Sequence, residues 1–164
     1  MLVLGGCASL QPPQTAEAFR REASGALLPR AGAAEVERPL REVAEAFREK
    51  APECLDRTAS ATVKTITDYQ EIIRTYVTTY RPTLVESTQR VELHVQWRTQ
   101  GEIHLSPAPA GGAYRLVADA YALEGDRTRL QWFTPSAADD FLVHAVRGWA
   151  TGENMQCPDF TRQW

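Results

Sequence analysis

The spacing of apolar residues changes along the chain from a helical period to an alternating one. Apolar positions recur at helical spacing over residues 15–28 and again over 36–51, which predicts two N-terminal helices. Proline marks their limits: Pro29 ends the first helix, Pro39 lies in the first turn of the second, and Pro52 ends it. The first third of the chain is therefore predicted to be helical.

After Cys54 every second residue tends to be apolar, which is typical of strands with one buried face. The clearest alternation runs over residues 91–97, from Val91 to Trp97. A turn over residues 99–101 is predicted to pair this strand with one that contains Ile103 and Leu105. Earlier strands are predicted around residues 59–63 and 73–80, and a second hairpin joins 114–123 to 128–133 across 124–126.

A final helix is predicted to begin at Ser136, with Asp139 as the acidic partner of a capping box, and to end at Gly152. Its apolar side contains Phe141, Leu142, Ala145 and Trp149. The order of these elements predicts an α+β fold with N-terminal helices, an antiparallel sheet of about five strands, and a C-terminal helix packed on the sheet.

Composition restricts the class of protein. The chain has 164 residues, of which 43% are hydrophobic, and this favours one domain with a buried core. No apolar run approaches the ~20 residues that span a bilayer. The net charge of −3 argues against nucleic acid as a partner.

The N-terminus contains Leu4-Gly5-Gly6-Cys7, a leucine and two small residues before a cysteine. This segment resembles the recognition motif of bacterial lipoproteins, in which the cysteine thiol is acylated. The resemblance implies that residues 1–7 are the remnant of a lipoprotein signal with a lipidated Cys7, that 8–14 form a tether, and that 15–164 form a single α+β domain. The alternative is an ordinary N-terminus in which Cys7 packs as a small apolar residue.

The same resemblance implies a location. Ala8 and Ser9 follow the cysteine, where lipoproteins retained at the inner membrane normally carry aspartate. We therefore expect the protein to be anchored by its lipid at the periplasmic face of the outer membrane. Its predicted partners are the membrane, through the lipid, and an envelope protein or cell-wall component.

Cys54 and Cys157 are the other two cysteines, and neither has the spacing of a zinc site. In an oxidising compartment they are expected to pair, because acylation removes Cys7 from the count. Each lies next to a proline, where regular structure is expected to stop. Two buried free thiols are the alternative.

Candidate chemistry is sparse. His94 and His104 share the polar side of the predicted hairpin, and a metal site there would need Glu92 or Glu102 as a third ligand. Such residues collect on any polar hairpin face, so no metal site is predicted. His144 lies on the final helix without a nucleophile, and the carboxylates at 139–140 are explained by helix N-terminal charge. We therefore expect no catalytic residue and no cofactor.

Aromatic residues crowd the predicted strands, where most are ordinary strand formers. Four residues are nevertheless candidates for a binding surface on the uncovered side of the sheet: Arg74, Tyr76, Tyr80 and Tyr121. The function indicated is a non-enzymatic, membrane-anchored envelope module that acts in binding or in envelope assembly. The alternative is a carrier or sensor of a small apolar ligand or lipid, held in a cavity between the sheet and the C-terminal helix. An enclosed cavity would favour the carrier, and a packed interior would favour the binding module.

Overall fold

The computed structural model describes residues 12–25, 30–67, 70–100 and 109–160. The helices are α1 (Ala16–Gly25), α2 (Leu40–Leu55) and α3 (Asp140–Thr151), the last preceded by a short 3-10 turn, Ala137–Asp139. The strands are β1 (Ala31–Val36), β2 (Arg57–Thr67), β3 (Gln70–Glu86), β4 (Arg90–Gln100), β5 (Ala113–Leu123) and β6 (Arg127–Phe133). This architecture confirms the predicted α+β class.

The six strands of the described residues form one antiparallel sheet in the order β1-β6-β5-β4-β3-β2, where about five strands are predicted from the sequence. Strand β1 is not predicted from the sequence, because its residues are mostly small and only Val36 is buried. Gly32 has a specific role in this strand, since a Cβ atom there would collide with the indole of Trp132 on β6. The missed strand therefore depends on close packing across its own ladder.

Helices α2 and α3 cover one face of the sheet and form the main core with it. Trp149 of α3 and Phe47 of α2 are both 0% exposed, as are Leu93 and Leu116 on the strands beneath them. The predicted alternation in β4 is confirmed, since Val91, Leu93 and Val95 are buried and the residues between them are partly exposed. The C-terminal helix thus packs on the sheet as predicted.

Helix α1 packs on the opposite face, where Phe19 stacks on Tyr114 with ring centroids 5.5 Å apart. Strand β5 is consequently covered on both sides, and residues 116–120 are all buried. A β-bulge opposite Val95 and Gln96 inserts Arg115 into this strand. The extra residue allows Arg115 to reach Asp139, with an Nη2–Oδ1 distance of 2.6 Å.

The predicted limits of the second helix are wrong at both prolines. Helix α2 begins after Pro39, which is its N-cap, and continues through Pro52 to Leu55. Cys54 and Leu55 are both 0% exposed, so burial of the last turn outweighs the backbone hydrogen bond that Pro52 cannot donate. The expectation that regular structure stops at Cys54 is therefore also wrong.

The two predicted hairpins have different outcomes. β5 and β6 pair as predicted, and residues 124–126 turn the chain with positive φ at Gly125 and Asp126. The predicted turn at 99–101 is wrong at its start, because Thr99 and Gln100 continue β4 and pair with β3. Its second strand, with Ile103 and Leu105, lies outside the described residues.

The ends of α3 were predicted with partial success. Gly152 ends the helix in the left-handed conformation at φ 77°, and its N–H donates to the carbonyl oxygen of Gly148. The capping box is wrong: neither Ser136 nor Asp139 makes a side-chain cap hydrogen bond. Asp139 is instead buried against Arg115, and burial raises its pKa even though that arginine opposes the shift.

Candidate functional site

The four residues of the predicted binding surface do not lie together. Tyr80 is 2% exposed and packs in the core, with its ring centroid 4.7 Å from that of Phe160. Burial raises the pKa of its phenol to about 12. Tyr121 lies on the α1 side of the sheet beneath the guanidinium of Arg90, 5.1 Å from the ring centroid. The prediction of one shared surface is therefore wrong for Tyr80 and Tyr121.

Arg74 and Tyr76 lie on a long extension of the sheet, which we call the arm. It consists of residues 61–67 of β2 and 70–76 of β3, which pair with each other along their whole length. Among the described strands, β3 pairs with β4 only from Val77 onward. Seven residues at about 3.4 Å each give the arm a length of about 24 Å.

The surface of the arm carries two exposed isoleucines. Ile66 is 78% exposed and Ile73 is 62% exposed, and these are the two most exposed large apolar side chains among the described residues. Ile66 pairs with Glu71 across the strands and Ile73 pairs with Lys64. The charged pair Lys64–Glu71 is joined by an ion pair of 2.8 Å. The arm thus presents apolar side chains beside an internally neutralised pair of charges.

One hydroxyl pair joins the two strands of the arm, and contacts at the base of the arm join it to the rest of the protein. Thr62 and Thr75 approach with 3.2 Å between their Oγ1 atoms. At the base, Arg81 donates to Asp56 at 2.7 Å, and the guanidinium of Arg57 lies 4.8 Å from the ring centroid of Phe160. The arm is therefore tied to the core at one end.

Strand β2 is the last strand of the described sheet. It has 11 residues and no proline, and between positions 61 and 67 its only charge is Lys64. Natural edge strands are usually short, or are protected by charges, prolines or bulges, because their free N–H and C=O groups can pair with another strand. The edge of β2 lacks most of these protections and is a place where a further strand can add.

A polar cluster lies on the other face of the sheet, beneath α1. Arg20 of α1 donates two hydrogen bonds of 2.7 Å to Asp119, which is 1% exposed, and also contacts Glu92. Arg90 donates to the same Asp119 at 3.1 Å, and a hydrogen bond of 3.0 Å joins His94 to Glu92. These contacts fasten α1 to the sheet by opposite charges.

The cluster does not have the ligand set of a metal site. Glu92 already makes hydrogen bonds with Arg20 and His94. Burial alone would raise the pKa of its carboxyl group, but these hydrogen bonds outweigh burial and lower it. His104 and Glu102 lie outside the described residues, and His144 is exposed on α3. In the described ranges no group of three His, Cys, Asp or Glu side chains is placed to hold a metal ion.

Arg20 and Asp119 are not among the site residues predicted from the sequence. The available signal was an aspartate inside the apolar run of residues 116–120. A charged side chain in a strand that is buried on both faces requires a partner of opposite charge. That partner, Arg20, is 99 positions away in the sequence, and no local pattern identifies it.

The predicted disulfide between Cys54 and Cys157 is present, with Cα atoms 5.0 Å apart. It joins the last turn of α2 to the segment after α3. Cys7 and the first part of the tether lie outside the described residues, so the lipid anchor stays a prediction. None of the helices in the described ranges has the length and hydrophobicity that crossing a membrane requires.

No protein-family model matches the chain, and no curated protein is significantly similar to it.

Proposed function

We propose that this protein is a non-enzymatic, lipid-anchored module at the periplasmic face of the outer membrane, and that it binds an extended strand of an envelope protein along β2. The observation that carries this proposal is the arm, whose outer strand β2 pairs on one side only among the described strands, and which exposes Ile66 and Ile73. Backbone hydrogen bonds to the edge would provide the affinity, and the isoleucines would select apolar side chains.

The envelope location is supported by two features at different places in the chain. Cys7 ends a motif that resembles that of bacterial lipoproteins. The bond between Cys54 and Cys157 is of a kind that persists in oxidising compartments such as the periplasm. A single acyl chain binds membranes only marginally, so stable anchoring of Cys7 would require the several acyl groups of a mature lipoprotein.

The packing of the interior supports the binding module over the ligand carrier. A cavity large enough for a ligand would leave accessible area on the side chains that line it. Trp149 and Leu142 on α3 are both 0% exposed, and so are Leu93 and Leu116 on the sheet. The space between α3 and these strands is therefore filled by protein.

Photocrosslinking in living cells tests the proposal. A photoreactive amino acid is placed at Thr62 in the arm of the full-length, lipid-anchored chain, and crosslinked products are identified by mass spectrometry. We expect one protein to be crosslinked through an extended segment with alternating apolar residues. The same probe at Val85, which is exposed on the same sheet but outside the arm, should not capture it.

A charge variant removes the apolar surface without weakening the arm. Ile66→Lys places a lysine opposite Glu71, and Ile73→Glu places a carboxylate opposite Lys64, so each creates a favourable cross-strand pair. The double variant should fold normally and lose the crosslink at Thr62. Val85→Lys, which creates the matching pair with Glu92, should keep it. Crosslinks to cell-wall fragments, or an undiminished protein crosslink in the double variant, would refute strand binding at the arm.

A further inference from the structure

A separate pocket of about 290 Å³ lies between α1 and the ends of β5 and β6. Its apolar wall is formed by Pro12, Pro13, Phe19, Ala23, Tyr114 and Pro135. Phe19 is 4% exposed and its ring stacks on that of Tyr114, so this wall is fixed by the docking of α1. The pocket is on the opposite face of the sheet from α2 and α3, and it plays no part in strand binding at the arm.

The charged side chains around the pocket differ in whether they have a partner of opposite charge. The guanidinium of Arg115 is held by Asp139 at 2.6 and 2.8 Å. Glu22 is exposed to solvent. Arg30 is only partly exposed, and its guanidinium makes no hydrogen bond or ion pair with any residue in the described ranges. An anionic group bound in the pocket would therefore lie beside a cation that no carboxylate of the described residues already pairs with.

We infer that this pocket binds a single-chain anionic amphiphile, with the chain against the partly exposed Pro12, Pro13 and Tyr114 and the carboxylate or phosphate head on Arg30. The volume of about 290 Å³ equals about ten liquid-water volumes, enough for a chain of roughly eight to ten carbons. The exposed Glu22 stays hydrated at the rim and disfavours a second negative charge on the ligand. The inference does not depend on the proposed strand binding.

Calorimetric titration with alkanoates of increasing length tests the inference. The full-length chain is used with Cys7→Ser, so that no acyl group of its own competes, and every ligand is kept below its micelle concentration. We expect affinity to rise about fourfold per added methylene and to level off at about ten carbons, when the pocket is full. Decanoate should bind at least about tenfold more tightly than decanol, and decyl phosphate shows whether the site also accepts a phosphate head.

Variants at Arg30 separate the head from the chain. Arg30→Gln should weaken decanoate binding about tenfold and leave decanol binding unchanged, while Arg30→Lys should recover part of the loss. Arg129→Gln removes the same charge from an exposed position on β6 and should have no effect. Equal affinities for decanoate and decanol would overturn the inference. So would equal losses in the variants at Arg30 and Arg129, or affinity that keeps rising with much longer chains.

Discussion

Replacing Cys157 by serine removes the only cross-link among the described residues, and we expect a large loss of stability. The bond closes a loop of 103 residues, for which the chain-entropy relation gives about 4.7 kcal/mol. For a chain of this size, 1 kcal/mol shifts the melting temperature by about 2–4 °C, so the variant should melt about 9–19 °C lower.

Cys157 is the better of the two cysteines to change. Its residue is exposed, whereas Cys54 is 0% exposed. Serine at 157 therefore removes the bond without leaving a cavity, and the measured loss reports the cross-link. Cys54→Ala should lose slightly more, because it also removes buried atoms from the core.

Urea unfolding followed by circular dichroism measures the effect with and without reductant. The variant should have a lower midpoint and a larger m-value, because its unfolded chain is no longer held compact by the cross-link. Wild-type protein unfolded in reductant should approach the curve of the variant, and the variant itself should not respond to reductant. A loss below about 1 kcal/mol with an unchanged m-value would refute the loop-closure reasoning.

Three further predictions concern single side chains. Because burial raises the pKa of Tyr80 from 10.0 to about 12, the folded state holds this proton more tightly than the unfolded chain. Stability should fall by about 2–3 kcal/mol between these pH values, and Tyr80→Phe should remove that loss in denaturant titrations. Burial alone would raise the pKa of Glu92, but the hydrogen bonds with His94 and Arg20 outweigh it and lower that pKa. The ionised Glu92 therefore stabilises the folded state above pH 4.5, and this stabilisation is lost as the pH falls below that value. Glu92→Gln should flatten the acid limb of the stability–pH profile. Asp119→Ala leaves two arginines without their shared carboxylate and should cost about 3 kcal/mol, with faster hydrogen exchange in α1.

Patterns contained within one element could be predicted from the sequence. The alternation in β4 and the glycine turn between β5 and β6 each depend on neighbouring residues, and the structure confirms both. Strand β1 has no such pattern, because it is held by its ladder to β6 and by the Trp132 ring over Gly32. Elements that depend on distant partners were therefore the ones missed or misplaced.

The candidate site was less predictable than the fold. Tyr76 and Tyr80 have the same strand parity, but α2, α3 and Phe160 cover only the position of Tyr80. Where a covering helix ends is a property of the assembled core, and no local pattern gives it. For the same reason the exposure of Ile66 and Ile73 could not be inferred from the sequence. Residues 61–67 and 70–76 have the composition of an ordinary threonine-rich hairpin, and that composition does not show which face is covered.

Mass spectrometry of the N-terminal peptide from natively expressed protein tests the central claim most directly, because the proposed strand binding to an envelope protein requires the proposed location at the membrane. We predict a mature chain that begins at Cys7 and carries a thioether-linked diacylglyceryl group with a further N-linked acyl chain. A chain that keeps residues 1–6 and has an unmodified thiol at Cys7 would contradict the account.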